Sequence, residues 1–388
     1  MNIEYFNLNK ILLLLLGLWP YKQSYFTRFQ FIFLSSILTS NLIVQCTTFI
    51  SQRYTIEFII RVLASMFYSA IFVIKYNLFY VNIESMKALL DRLLHINNKI
   101  KDKNEIAIMK KCGYNGKWYT VALTILSVCL IIFGSIVLFW PQISNVTLPT
   151  NVSRSYPLQF VIMTEYFIDQ EKYYYFIIFH YYTSLCIATL VILGTGTILI
   201  MYIEHIFGLF KIASYRIERA MNIDMLRNIN QNHPLIYKGL ICAVNIHRQA
   251  LNLCNDLVSS LQTMMFCLLV FTVGSVSLNL FRIISSKENI TDFICPLSFI
   301  IVTIVYMFLA NYMGESITNN NDVIFATAYN VQWYVAPLYI QKMILFLLQR
   351  NSIVVAFKIG GVFVGSIESF ASMIKTSVSY FTVIYSTQ

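Results

Sequence analysis

Charge is what this sequence has least of. Only 12% of its 388 residues are charged and 57% are hydrophobic, where a soluble globular domain carries about 25% charged residues. Mean hydropathy is +0.65. That scarcity excludes a soluble domain of useful size and defines an integral membrane protein. Acidic residues are scarcer than basic ones, 18 against 28. In a membrane chain the basic surplus reports topology and contact with lipid headgroups, so no nucleic acid is expected as a partner. No Pro- or Ser-rich linker and no internal repeat divides the chain. The cysteines, at positions 46, 112, 129, 186, 242, 254, 267 and 295, form no CxxC pair. A disulfide framework or a zinc site would need closer spacing. Phosphate-cradling GxxxxGK[ST] and GxGxxG are missing, as are GxSxG and HExxH. His95, His180, His205, His233 and His247 are scattered, and Glu204-His205 sits where a membrane edge ordinarily carries such residues. No catalytic constellation stands out, so neither an enzyme nor a cofactor is expected.

What is present is long apolar runs. About 20 apolar residues cross a hydrocarbon core, and seven runs qualify, about 29–50, 58–80, 119–140, 174–203, 261–281, 293–313 and 361–386. The expected fold is an all-α membrane protein of seven transmembrane helices, with no further domain beyond the last. A further apolar stretch, 323–348, is interrupted by Asn330, Gln332, Trp333, Pro337, Gln341 and Lys342. It reads as a helix buried in protein or lying near the interface. Ile11–Leu16, followed by Gly17-Leu18-Trp19-Pro20, lacks a small-x-small cleavage site. It reads as an uncleaved amphipathic or interfacial segment with Trp19 at headgroup depth.

Orientation follows from Lys and Arg. With the N-terminus inside, the inner segments hold twenty of them, and the outer loops hold Arg53, Arg154, Lys172, Arg282 and Lys287. The positive-inside rule then places the N-terminus in the cytosol and, after seven spans, the C-terminus outside. The N-x-S/T sequons at Asn145, Asn151 and Asn289 all fall in loops that this topology puts outside. They are the candidate glycosylation sites. From 204 to 260 the chain keeps a helical period, with Ile206, Phe207, Phe210, Ile212, Ile217 and Met221 set between Lys211, Arg216, Glu218 and Arg219. Such amphipathic extensions must bury their stripes on each other or on a partner subunit.

Two constellations carry chemistry. The outer halves of the spans are rich in Phe and Tyr, and Gly134 and Ser135 make room among them. Phe67, Tyr68, Phe72, Gly134, Leu138, Tyr175, Phe179 and Tyr306 are the candidate lining of a site for a small, apolar, uncharged molecule, because ligand sites between helices are mostly apolar with a few polar handles. An interfacial aromatic belt with ordinary packing would use the same residues. The second constellation is the last span. Thr376, Tyr380, Val383 and Thr387 fall at i, i+4, i+7 and i+11, on one helical face. Its hydroxyls and the charges of Glu368 and Lys375 suit a wall facing water, with Val383 as an apolar constriction. Alternatively the helix is buried, its hydroxyls bonded back to its own carbonyls.

The tail Phe370-Ala-Ser-Met-Ile-Lys-Thr-Ser-Val-Ser-Tyr-Phe-Thr resembles the C-terminal signature of insect odorant receptors, in which a Ser-Tyr-Phe-Thr element closes the last helix. Tyr329-Asn330-x-x-Trp333-Tyr334-x-x-Pro337, then Lys342, Leu345 and Gln349, is similar to the segment before that helix. Gly17-Leu18-Trp19-Pro20 and Trp140-Pro141 resemble two further family elements. The resemblance implies the ligand-binding subunit of a ligand-gated, non-selective cation channel in the plasma membrane of olfactory neurons, opened by a small volatile and assembled as a heterotetramer with an obligate co-receptor. It implies an odorant pocket among spans two, three, four and six, and a cytosolic anchor from about 204–260 and 315–358. It also implies a pore lined by the last helix, with Val383 and Thr387 at the extracellular gate. Thr387 is polar where the co-receptor is apolar, and 204–260 is shorter than the co-receptor's insertion, which marks a tuning subunit. A gustatory receptor of the same fold would end in Thr-Tyr followed by Gln-Phe, where this chain has Ser379-Tyr380 and then Ser386-Thr387. A G-protein-coupled receptor would have its N-terminus outside and carry [DE]RY and NPxxY. A transporter would show paired broken helices.

Overall fold

The computed structural model describes residues 6–51, 55–147, 165–169, 172–222, 229–285, 290–351, 358–359 and 363–386, with the backbone alone at 51, 137–147, 229–232, 290–292, 350–351 and 358–359. Leu138, Asn145, Asn151, Asn289 and Thr387 therefore have side chains outside the described residues. The elements are α1 (Asn7–Leu15), α2 (Tyr25–Ser51), α3 (Ile56–Val81), α4 (Ile83–Lys99), α5 (Lys103–Thr147), α6 (Tyr174–Ala220), α7 (Ile229–Ser285), α8 (Ile290–Asn330), a 3-10 turn (Trp333–Val335), α9 (Leu338–Asn351), a short pair β1 (Lys358–Ile359) and β2 (Phe363–Val364), and α10 (Ile367–Ser386).

Six helices, α2, α3 and α5 to α8, are long and apolar enough to cross a membrane among the described residues. Four of them far exceed the need. The 57 residues of α7 rise about 85 Å at 1.5 Å per residue, against about 30 Å of hydrocarbon. Their surplus lies at the N-terminal ends of α5 and α7 and the C-terminal ends of α6 and α8. Chemistry draws these four ends together. Arg216 of α6 grips Glu105 of α5 with two bonds, Nε to Oε1 at 2.7 Å and Nη2 to Oε2 at 2.8 Å, and donates to the Cys242 carbonyl of α7 at 3.1 Å. Arg219 pairs with Asp102, and Arg92 of α4 with Asp256 of α7. His247 of α7 meets Asn321 Oδ1 of α8 at 3.0 Å. Helix α4 buries Met86, Leu89, Leu90, Leu93 and Ile96, spaced as one stripe, against this assembly.

Helix α6 is the centre of the bundle, packed by α1, α2, α3, α5, α7 and α8, and buried along most of its length. The N-terminal segment is drawn into it. Leu13, Leu16, Leu18 and Trp19 are buried, so Trp19 packs against protein. Gly17 makes the reversal, with φ +69°, and a Cβ there would meet the Thr27 carbonyl at 2.9 Å. The Tyr76 hydroxyl donates to the Leu16 carbonyl at 2.7 Å and fixes the turn.

The stretch 323–348 is broken in two. α8 ends at Asn330, and α9 starts after Pro337, whose ring disfavours helix in the residue before it. The last helix begins at Ile367, later than the 361 expected, because Lys358 and Ile359 pair antiparallel with Val364 and Phe363. Gly314 of α8 lets this segment approach closely, since a Cβ on it would meet the Gly365 carbonyl at 2.7 Å. Glu315 then accepts the Ile367 backbone N–H at 2.6 Å, at the start of α10.

Candidate functional site

Between α3, α5, α6 and α8 lies a cavity of about 150 Å³. Tyr68 and Phe72 come from α3, Ser127, Leu130, Phe133 and Gly134 from α5, Tyr181, Leu185 and Thr189 from α6, and Cys295, Ser298 and Phe299 from α8. The aromatic wall is ordered by its own contacts. Tyr68 stacks on Phe299 at 4.2 Å between centroids and meets Phe72 edge-on at 4.9 Å. Thr189 donates back to the Leu185 carbonyl at 2.9 Å and Ser298 to the Cys295 carbonyl at 2.7 Å. These two donors are already used within their helices, and the rest of the wall is mainly aromatic and aliphatic, with the hydroxyls of Tyr68, Tyr181 and Ser127 as polar handles. Gly134 keeps it open; a Cβ there would touch Leu185 Cδ2 at 3.4 Å. Its neighbour Ser135 bonds the Tyr182 hydroxyl at 2.8 Å and ties α5 to α6.

The remaining predicted lining residues divide. Phe67 turns away from the cavity toward α7, its ring 5.2 Å from Phe271 and filling the notch at Gly274. Tyr306 belongs to a second, adjoining cavity of about 220 Å³ that shares Ser127, Leu130, Ile192 and Val302 with the first. Tyr175 and Phe179 lie on the outer surface of α6, 74% and 69% exposed, and line neither cavity. An aromatic on a membrane helix faces lipid as readily as protein, so its face is not written in its type. Sequence reasoning missed Lys75, which lines the second cavity. The signal for it was spacing: Tyr68, Phe72 and Lys75 stand at i, i+4 and i+7 on α3.

Helix α10 packs on α7 and α8. Its inward residues are Met373 and Ser377, both buried, with Phe381 and Ile384 half-buried against Ile60, Ala64, Leu278 and Phe281. Ser277 of α7 donates to the Ser377 carbonyl at 2.9 Å, and Phe308 of α8 meets Phe370 edge-on at 5.5 Å. The opposite face presents Thr376, Tyr380 and Val383, the last two 56% and 60% exposed. The hydroxyls of Thr376, Ser377, Thr382 and Ser386 do bond back to their own helix, yet the helix is not buried in the single chain. Glu368 and Lys375 are exposed as well.

A helical membrane bundle enclosing a mostly apolar cavity, with a hydroxyl-rich helix on its flank, has the architecture of a membrane receptor with an internal small-molecule site. Residues 55–378 match the profile of the 7tm Odorant receptor family, and the chain belongs to that family. It is an odorant receptor. No curated protein matches it in sequence. Its fold is similar to that of the insect olfactory receptor OR5 from Machilis hrabei in complex with eugenol, with a TM-score of 0.80 at 13% identity over 99% of this chain and 98% of that one. A second structure of the same receptor gives 0.77 at 15% identity, over 99% and 98%.

Proposed function

We propose that this odorant receptor is the ligand-binding subunit of an odorant-gated, non-selective cation channel, assembled with a co-receptor of the same fold in the plasma membrane of olfactory neurons. The observation that carries the reading is the placement of α10. One face is fixed to α7 and α8, and α8 also walls the cavity. The other face, with Thr376, Tyr380 and Val383, is left uncovered in the single chain. A ring of such chains turns those faces toward a common axis. The helical end opposite the cavity supplies a docking surface for the same assembly: Tyr329, Tyr334, Leu338, Leu345 and Phe346 are exposed there, and exposed apolar groups on a surface outside the membrane mark a protein interface.

The ligand is small, apolar and uncharged, and the aromatic, mostly apolar cavity at Tyr68, Phe72 and Gly134 suits it. Eugenol, bound by the Machilis receptor, is a reasonable first probe. Occupancy reaches the pore helix through Phe67, one residue along α3 from Tyr68, whose ring rests on Phe271 and Gly274 of α7. From there Ser277 joins α7 to α10. The N-terminus is cytosolic in this reading, and Asn145, Asn151 and Asn289 are glycosylation acceptors on the outer side. The test is electrical. The chain is expressed with a co-receptor and challenged with a panel of volatiles, without guanine nucleotides. Current that appears only with both subunits and ligand supports the reading; a response that requires a G protein overturns it.

A further inference from the structure

Lys75 is a basic side chain inside the membrane bundle, and it lines the second cavity. It is 1% exposed. A buried lysine amine, protonated or not, is costly in hydrocarbon unless its N–H groups meet hydrogen-bond acceptors or a counter-charge. Lys75 has neither among the described residues. Its Nζ rests 4.4 Å from the centroid of the Tyr306 ring, a cation–π contact that covers one side of the group. An ammonium has three N–H donors, and a ring face does not satisfy them all. Space remains beside it. Gly196 of α6 has no side chain there, and a Cβ at that position would stand 3.9 Å from Nζ. Around the ammonium the cavity of about 220 Å³ is lined mainly by Leu, Ile, Val and Met side chains of α5 to α8. The side chain of Thr197, which also lines it, is already bonded to the Leu193 carbonyl at 2.7 Å.

We propose that Lys75, with Tyr306 beneath it, forms a polar subsite that receives the carbonyl oxygen of an otherwise apolar, uncharged ligand. This deepens the receptor reading above and rests on it for the ligand's general character. The geometry gives the ligand a direction. Lys75 stands on the same face of α3 as Tyr68 and Phe72, about 10.5 Å along the helix from Tyr68. The two cavities adjoin at Ser127, Leu130, Ile192 and Val302. A carbonyl compound can therefore place its oxygen at Lys75 and its hydrocarbon toward the aromatic wall. A carboxylate would match the charge more strongly, but it must be stripped of water to enter a chamber this apolar. A ketone, aldehyde or ester enters at far lower cost than a carboxylate and still accepts a hydrogen bond.

The experiment compares methyl hexyl ketone with octene, matched in carbon number and differing in the oxygen. Binding is measured to the purified full-length receptor in lipid nanodiscs, from the rise of the unfolding midpoint with ligand concentration, each variant against its own ligand-free value. The wild type is expected to bind the ketone about threefold to tenfold tighter than octene, the worth of one net hydrogen bond. Lys75→Met should bring the two affinities to within about twofold of each other while octene binding stays near wild type. Gly196→Val, which places methyl groups over the ammonium, is the second variant, should Lys75→Met not fold, and is expected to reduce the ketone preference likewise. A wild type without preference, or variants that keep it, overturns the subsite. Because binding is read without current, a receptor that binds with this preference yet conducts nothing when expressed with its co-receptor would overturn the channel reading and leave the subsite standing.

Discussion

At the scale of single residues, the candidate site depends most on a residue with no side chain. Gly134 faces Leu185 across the cavity, and even a methyl group would touch it at 3.4 Å. A Trp there has far more volume than a methyl group in a space of about 150 Å³. Gly134→Trp is expected to abolish ligand-evoked current while surface expression is retained, and an unchanged dose–response would place the ligand elsewhere. Glu105 belongs to a different concern, stability. It is 5% exposed and held by two bonds from Arg216. Glu105→Ala leaves that guanidinium without its carboxylate, and breaking such a buried pair costs about 3–5 kcal/mol, less where, as here, Arg216 keeps some solvent contact, 23% exposed. Lower surface expression and a lower unfolding midpoint are expected, with the ligand dose–response of the surviving receptors unchanged. The aromatic composition and Gly134 were legible in the sequence because room and ring surface are properties of residue type. The facing of Tyr175 and Phe179 was not, because both sides of a membrane helix are apolar. Lys75 escaped because charge was read there as a marker of loops, and a charge inside a span says nothing of topology.

At the scale of elements, helix periodicity predicted the face of α10 and the structure supplies its counterpart. Residues 373, 377, 381 and 384 turn toward the bundle, and 376, 380 and 383 turn away. The expected constriction at Val383 can be tested by chemistry that respects this division. Val383→Cys in the assembled channel should react with a thiol reagent applied from outside, faster when ligand is present. Ile384→Cys, half-buried against α3 and α7, should be protected. Equal reaction at both positions would make α10 a packing helix only. The boundaries of elements were less legible than their faces. Pro337 marks the break between α8 and α9 in the sequence, but apolar residues continue across it and hide the division. The late start of α10 comes from the β1–β2 pairing, a contact between segments too short to announce themselves by periodicity.

At the scale of the whole molecule, helix length and charge point to one arrangement. Helices α5 to α8 run far past the hydrocarbon core at a single end, and that end holds Glu105, Arg216, Asp102, Arg219, Arg92 and Asp256 in ion pairs. A charged, solvated end this large is stable only outside the membrane, and the positive-inside rule assigns it to the cytosol. On the topology proposed above, helix α10 runs outward from Glu368 at its start, and the C-terminus lies on the outer side with the three sequons. Distinct tags at the two ends, probed on unpermeabilised cells, separate the alternatives. Labelling of the C-terminal tag alone is expected, together with a loss of mass on glycosidase treatment that is reduced when Asn145, Asn151 and Asn289 are replaced by Gln. Labelling of the N-terminal tag alone would invert the molecule. It would put the charged end outside the cell, turn α10 over, and leave Val383 open to thiol reagents from the cytosol only. The tag experiment therefore decides how the thiol experiment is to be read, and belongs before it.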